Sequence, residues 1–204
     1  MYKYGYICEG EYDVGALQTL IERYALEEKQ VDIEVVRELC KPTNGPVSKS
    51  AVNMRTRLFQ DKAVDLCFYF SDKDKGDQDK LSHITEGIES VDRNMLDIAI
   101  IGIPAPHFEA WLLCDDSAAK DLFNLQGDQA LPFSELASNP KSRLIKLADK
   151  YGDEILTPQE ARRKLAEKVN IRILIHNDPT FQSFVNSFNA ALAFLQANST
   201  HVVQ

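Results

Sequence analysis

Residues 64–70, VDLCFYF, are too continuously apolar to lie with one face in water, and they read as a strand covered on both sides. Three further runs are candidates for the same sheet: 2–8 (YKYGYIC), the β-branched 31–36, and 97–103. Helical spacing separates them. Val14, Leu17, Leu20, Ile21 and Tyr24 recur on one stripe between Tyr12 and about Glu28, residues 47–60 follow a Pro/Asn/Gly loop, and another helix runs to about Val91. Strand–helix repetition of this kind predicts an α/β fold, Rossmann-like, with a mostly parallel sheet of about four strands flanked by helices.

After Pro104 the pattern turns helical. Stretches 108–114, 117–123, 140–150 and 158–168 read as helices, with Pro140 and Pro158 suited to first-turn positions. Residues 170–176 fit neither period. The last element, 179–197, sets Phe181, Phe184, Val185, Phe188, Leu192 and Leu195 on one stripe, which is the signature of core packing. The expected organisation is an α/β core over 1–105 and a helical C-terminal elaboration over 106–204 packed on the same domain.

Charge narrows the function classes. Lys and Arg total 23 against 31 acids, a net charge of -8 with pI ≈ 5.0. This argues against a protein that coats nucleic acid through bulk charge, and against a polybasic membrane binder. No apolar run reaches the ~18 residues of a membrane span. The N-terminal octapeptide lacks the long apolar stretch of a signal peptide. Cys8, Cys40, Cys67 and Cys114 stand far apart with no C-x-x-C pair. The reading is therefore a reducing cytoplasm, with neither a zinc knuckle nor a disulfide framework.

Ligands of open α/β sheets gather beyond the carboxyl ends of the strands. The first strand runs out into Glu9-Gly10-Glu11-Tyr12-Asp13, and the third into Ser71-Asp72-Lys73-Asp74-Lys75-Gly76-Asp77. Glu9, Asp72 and Asp74 are thus expected at one edge. Carboxylates converging there repel one another unless a divalent cation lies between them, and hard oxygen donors suit Mg²⁺ or Mn²⁺. Each cluster alone also reads more simply, as a solvated turn or as a helix cap by Asp13 or Asp77. A calcium EF-hand is excluded, because Gly76 and His83 stand where the loop needs an oxygen donor and a bidentate Glu.

Other residues are drawn toward this edge. Glu109 follows the fourth strand through the Pro104-x-Pro106 turn, although a first-turn acid also suits the helix dipole. His107 reads as a turn residue and Lys73 as solvent-facing. Lys141, a first-turn lysine against the dipole, is a candidate phosphate contact. Residues 39–60 contain no acid but carry Lys41, Lys49, Arg55 and Arg57. Lys49, Arg55 and Arg57 are candidate backbone contacts to nucleic acid, with an ordinary exposed helix as the competing reading.

The pair E-G-x-x-D (Glu9, Gly10, Asp13) and D-x-D-x-G (Asp72, Asp74, Gly76), each after an apolar strand, resembles the TOPRIM domain of topoisomerases, bacterial primases and OLD-family nucleases. The match covers roughly residues 1–105. Pro106-His107-Phe108-Glu109-Ala110-Trp111-Leu112-Leu113, Asn139-Pro140-Lys141 and Phe181-x-Ser183-Phe184 are similar to TOPRIM-like proteins grouped with OLD-type nucleases and associated with phage defence.

The resemblance implies a TOPRIM fold and an Mg²⁺- or Mn²⁺-dependent nuclease acting on DNA or RNA. Glu9 would be metal ligand or general base, Asp72 and Asp74 would hold Mg²⁺, and Asp13 would complete a second metal shell. Glu109 and Lys141 join the expected catalytic set. The ATPase portion of OLD proteins has no counterpart here, so any ATP hydrolysis would come from a separate partner. Association into a homo-oligomer stays open. The alternative is a non-catalytic metal- or nucleotide-binding module acting through a protein partner. Strand passage would need a further large domain bearing a nucleophilic tyrosine, and a phosphotransfer receiver lacks its later lysine.

Overall fold

The computed structural model describes residues 1–73, 79–125, 139–151 and 156–199. Asp74, Gly76 and Asp77 of the second acidic motif lie outside these residues.

Strand β1 (Tyr2–Ile7) leads through helix α1 (Val14–Lys29) to the short β2 (Ile33–Val35). Helix α2 (Lys49–Asp61) then leads to β3 (Leu66–Phe70), and α3 (Lys80–Glu89) to β4 (Ala99–Gly102). The sheet is four-stranded and wholly parallel, in the order β2-β1-β3-β4. Tyr6 pairs with Phe68 between β1 and β3, and Phe68 with Ile100 between β3 and β4.

Alternation along the strands divides the interior in two. Tyr4, Tyr6, Cys8, Phe68, Phe70 and Ile100 face α1 and the C-terminal helices, whereas Ile7, Cys67, Tyr69 and Ala99 face α2 and α3. All five β3 residues are buried, as an apolar run covered on both faces requires. Because α1 lies on one face and α2 on the other, the winding reverses between β1 and β3. That reversal creates a crevice at the carboxyl ends of these two strands.

The C-terminal part contains α4 (Glu109–Leu113), α5 (Asp116–Leu122), α6 (Pro140–Tyr151), α7 (Pro158–Lys168), α8 (Ile171–Asn177) and α9 (Pro179–Ser199). The ambiguous stretch 170–176 is the short α8, with Asn170 accepting from the Arg172 amide at its start. Thr157 and Glu160 form a reciprocal capping box that starts α7 at Pro158.

These helices share one core with α1 and the sheet. Helix α7 packs on α1, and α9 covers β4. Phe181, Phe184 and Phe188 are buried, with the Phe188 ring 5.0 Å from Phe68 and the Phe181 ring 5.0 Å from Trp111. Cys8, Cys67 and Cys114 are buried and Cys40 half-buried, all as free thiols. Among the described residues, no helix is long and apolar enough to cross a membrane.

A candidate carboxylate site at the strand reversal

Glu9 and Asp72 meet in the crevice between β1 and β3. Glu9 leaves the sheet just after β1, and the loop before α2 fixes its backbone. The Thr43 amide donates to the Cys8 carbonyl at 2.9 Å, and the Gly45 amide to the Glu9 carbonyl at 3.3 Å. Asn44 and Gly45 both take positive φ, which lets this loop turn in tightly.

Three donors converge on Glu9 Oε1: Ser71 Oγ at 2.5 Å, the Asp72 amide at 3.1 Å and Lys80 Nζ at 3.1 Å. Lys80 also donates to the Asp72 carbonyl at 2.5 Å, and only 4% of its side chain is exposed. A buried ammonium needs a carboxylate beside it, and Glu9 supplies one. Sequence reasoning passed over Lys80, although a lysine opening a helix against the dipole is the signal that could have found it.

The Asp72 carboxyl turns toward the fourth strand's exit. Its Oδ1 accepts from the Phe108 amide at 2.9 Å, and its Oδ2 lies 3.3 Å from His107 Nδ1. His107 is therefore more than a turn residue: it touches the central acid. Burial raises the Asp72 pKa to about 8, helped by the negative charges of Asp13, Glu109 and Glu9 and opposed by the Phe108 amide.

Asp13 occupies the N-cap of α1 but makes no side-chain capping bond there. Instead, its Oδ1 lies 3.5 Å from Arg162 Nε. Burial raises its pKa to about 6, partly offset by the nearby positive charges of Arg162 and Lys141. Lys141 is thus within electrostatic range of the site while its side chain stays exposed on the first turn of α6.

Glu109 lies near the same edge, but its side chain points into the interior. It is 2% exposed and accepts from Arg162 Nε at 2.9 Å, with a second, closer contact from the same guanidinium. Arg162, itself buried on α7, therefore links Glu109 of α4 to Asp13 of α1. It was missed because arginine ordinarily marks a solvated helix face, yet here it sits between the buried Ala161 and Leu165.

The side chains of the basic segment make contacts of their own. Lys49 pairs with Glu86, Arg57 Nε donates to Asn53, and Arg55 donates to the Leu39 carbonyl at 3.4 Å. Lys73 is exposed, in agreement with the sequence reading.

The crevice encloses a cavity of about 10 Å³ bordered by Glu9, Asp13, Asp72, Phe70 and Phe108. This is room for one small occupant. Among the described residues, no three His, Cys, Asp or Glu side chains are gathered as a ready-made metal cage. The donor set is one of hard oxygens, and burial and neighbouring carboxylates oppose the ionisation of Asp13 and Asp72. It fits a cation such as Mg²⁺ or Mn²⁺ that takes one or two carboxylates and keeps water in its remaining positions.

No protein-family model, curated protein or solved structure matches the chain.

Proposed function

We propose that the chain is a Mg²⁺- or Mn²⁺-dependent nuclease of TOPRIM type that hydrolyses phosphodiester bonds of DNA or RNA. The convergence of Glu9 and Asp72 at the strand reversal, with the raised pKa of Asp72, carries this reading. Glu9 and Asp72 would hold the cation, with Asp13 beside them and Asp74 added from the D-x-D motif. A bound divalent cation supplies charge for the phosphate oxygens and acidity for an attacking water.

The chain's own residues orient this chemistry. Lys80 and Ser71 hold Glu9 in one position, and His107 and the Phe108 amide hold Asp72. Lys141 offers an exposed ammonium to a substrate phosphate. Glu109 acts as a positioning residue, because its carboxylate is spent on Arg162. Lys49, Arg55 and Arg57 form a separate contact for the nucleic-acid backbone. A phage-defence setting, a separate ATPase partner and a cytoplasmic location, the last in keeping with four free thiols, complete the proposal.

The test is cleavage of single- and double-stranded DNA and RNA with Mg²⁺ or Mn²⁺. Wild-type protein is expected to cleave, and Glu9→Gln and Asp72→Asn to lose at least about a hundredfold of the rate. Cleavage that survives both substitutions removes the site.

One observation favours a second reading, a non-catalytic metal- or nucleotide-binding module. Glu9 Oε1 already accepts three donors, one of them a buried ammonium. Metal binding by calorimetry with no cleavage of any of the four substrates would select it.

A further inference from the structure

Beside the carboxylate crevice, on the far side of Lys80, lies a second and larger hollow. It measures about 350 Å³, and Lys73, Lys80, Leu81, Ile101, Ile103 and Ser183 are among its lining residues. This volume falls at the lower end of small-molecule sites, which run from about 300 to 1,000 Å³. We propose that this groove receives one unpaired nucleoside, the base and sugar adjoining a phosphate held at the carboxylate site. The proposal rests on the nuclease reading for that phosphate, and on the groove itself for the nucleoside.

Four observations carry it. First, groove and crevice share a wall: Lys80 lines the groove while its ammonium binds Glu9 and the Asp72 carbonyl. An occupant of the groove therefore lies next to the acids. Second, the lining suits a base. Leu81 is 55% exposed, and together with Ile101 and Ile103 it offers apolar surface to a flat ring.

Third, the sheet edge contributes polar groups. Ser187 on α9 donates to the Ala99 carbonyl and accepts from the Ile101 amide, closing the outer edge of β4. Gly102 and Pro104 turn their carbonyls the other way, to the Ser71 and Lys73 amides. By strand alternation, the Ile101 carbonyl and the Ile103 amide face outward beyond Ser187. An adjacent acceptor and donor match the hydrogen-bonding edge of a base. The exposed Ser183 hydroxyl adds an adaptable third partner. Fourth, exposed Lys73 gives the groove positive charge in a chain of net -8, which complements an anionic group such as the phosphate adjoining a nucleoside.

A base can enter such a groove only when it is unpaired. The inference therefore sharpens the substrate to single strands, ends or loops.

Adenosine 5′-monophosphate in EDTA, followed by the methyl signals of Leu81, Ile101 and Ile103 in NMR, tests the site without any cleavage. Saturable shifts of these methyls are expected. The affinity should fall at least tenfold in Ser183→Trp, which fills the groove, and in Leu81→Glu, which repels phosphate. Both positions are exposed, so unchanged thermal midpoints will verify the fold of each variant.

Absence of saturable shifts, equal affinity in both groove variants, or the same shifts from inorganic phosphate alone would overturn the proposal. So would saturable shifts from a strand-forming peptide in place of the nucleotide. Nucleotide binding without Mn²⁺-dependent cleavage would bring down the nuclease reading and leave the groove. Cleavage without groove binding would do the reverse.

Discussion

Arg162 Nε donates to Glu109 Oε1 at 2.9 Å across 53 positions of the chain, and both side chains are almost wholly inside the protein. The same guanidinium stands 3.5 Å from Asp13. Helices α1, α4 and α7 are thereby tied at one charged point beneath the carboxylate crevice. Removing one partner of a buried pair leaves the other charge without compensation. Arg162→Met is therefore expected to cost about 3–5 kcal/mol in urea unfolding. The double variant Arg162→Met/Glu109→Met should be more stable than Arg162→Met alone. Simple additivity of the two single losses would count against the tie.

The raised acids set a pH dependence for the metal-free protein. Asp13 and Asp72 ionise near 3.8 when unfolded, but only near about 6 and about 8 in the folded chain. Between these limits the native state binds more protons than the unfolded state. Stability in EDTA should therefore fall as pH rises from about 4 to about 8 and then level off. Asp72→Asn should flatten the upper part of this slope. Mn²⁺ requires the ionised acids, so the rise in melting temperature on adding it should grow with pH over the same range. A midpoint in EDTA that climbs from pH 6 to 8 would contradict the assignment.

Lys80 gives a separate test, because its ammonium neutralises Glu9 while its stem borders the groove. Lys80→Gln keeps a donor but loses the charge. Cleavage is expected to fall at least about tenfold, and the pH at which activity is half-maximal to rise, since Asp72 then ionises among acids with less compensation. A purely structural lysine would lower stability without moving the pH profile.

Much of this arrangement was legible in the chain. The apolar run 64–70, bounded by helical patterns, is β3, and the Glu9 and Asp72 motifs stand where a parallel sheet delivers them, at the strand reversal. The strands came out shorter than their apolar runs: 31–36 yields only Ile33–Val35, because the chain turns at Arg37 into a short 3₁₀ segment. Residues acting through long-range contacts were not legible. Lys80 lies 71 positions from Glu9, and His107 lies 35 from Asp72. The one local sign is the place of Lys80 at the start of α3, against the helix dipole, and nothing local sets His107 apart from a solvated turn residue. Glu109 was found for its position, but the inward path of its carboxylate depends on Arg162, which only packing reveals.

Gly102 couples the core to the site, and this yields the last prediction. A Cβ added there would stand 2.6 Å from the Phe70 ring and 3.0 Å from Trp111. The Trp111 ring lies 6.0 Å from that of Phe108, whose amide holds Asp72. Gly102→Ala must therefore displace the aromatic bed on which Asp72 is oriented, at a cost of about 1–3 kcal/mol. Gly87→Ala provides the control, because its added Cβ would meet Val52 at 2.8 Å in the α2–α3 interface, two turns along α3 from Lys80. Both variants should lose comparable stability. Only Gly102→Ala should weaken Mn²⁺ binding to the folded protein, measured by electron paramagnetic resonance of the free ion. Equal loss of Mn²⁺ affinity in the two variants would show that this bed does not orient Asp72.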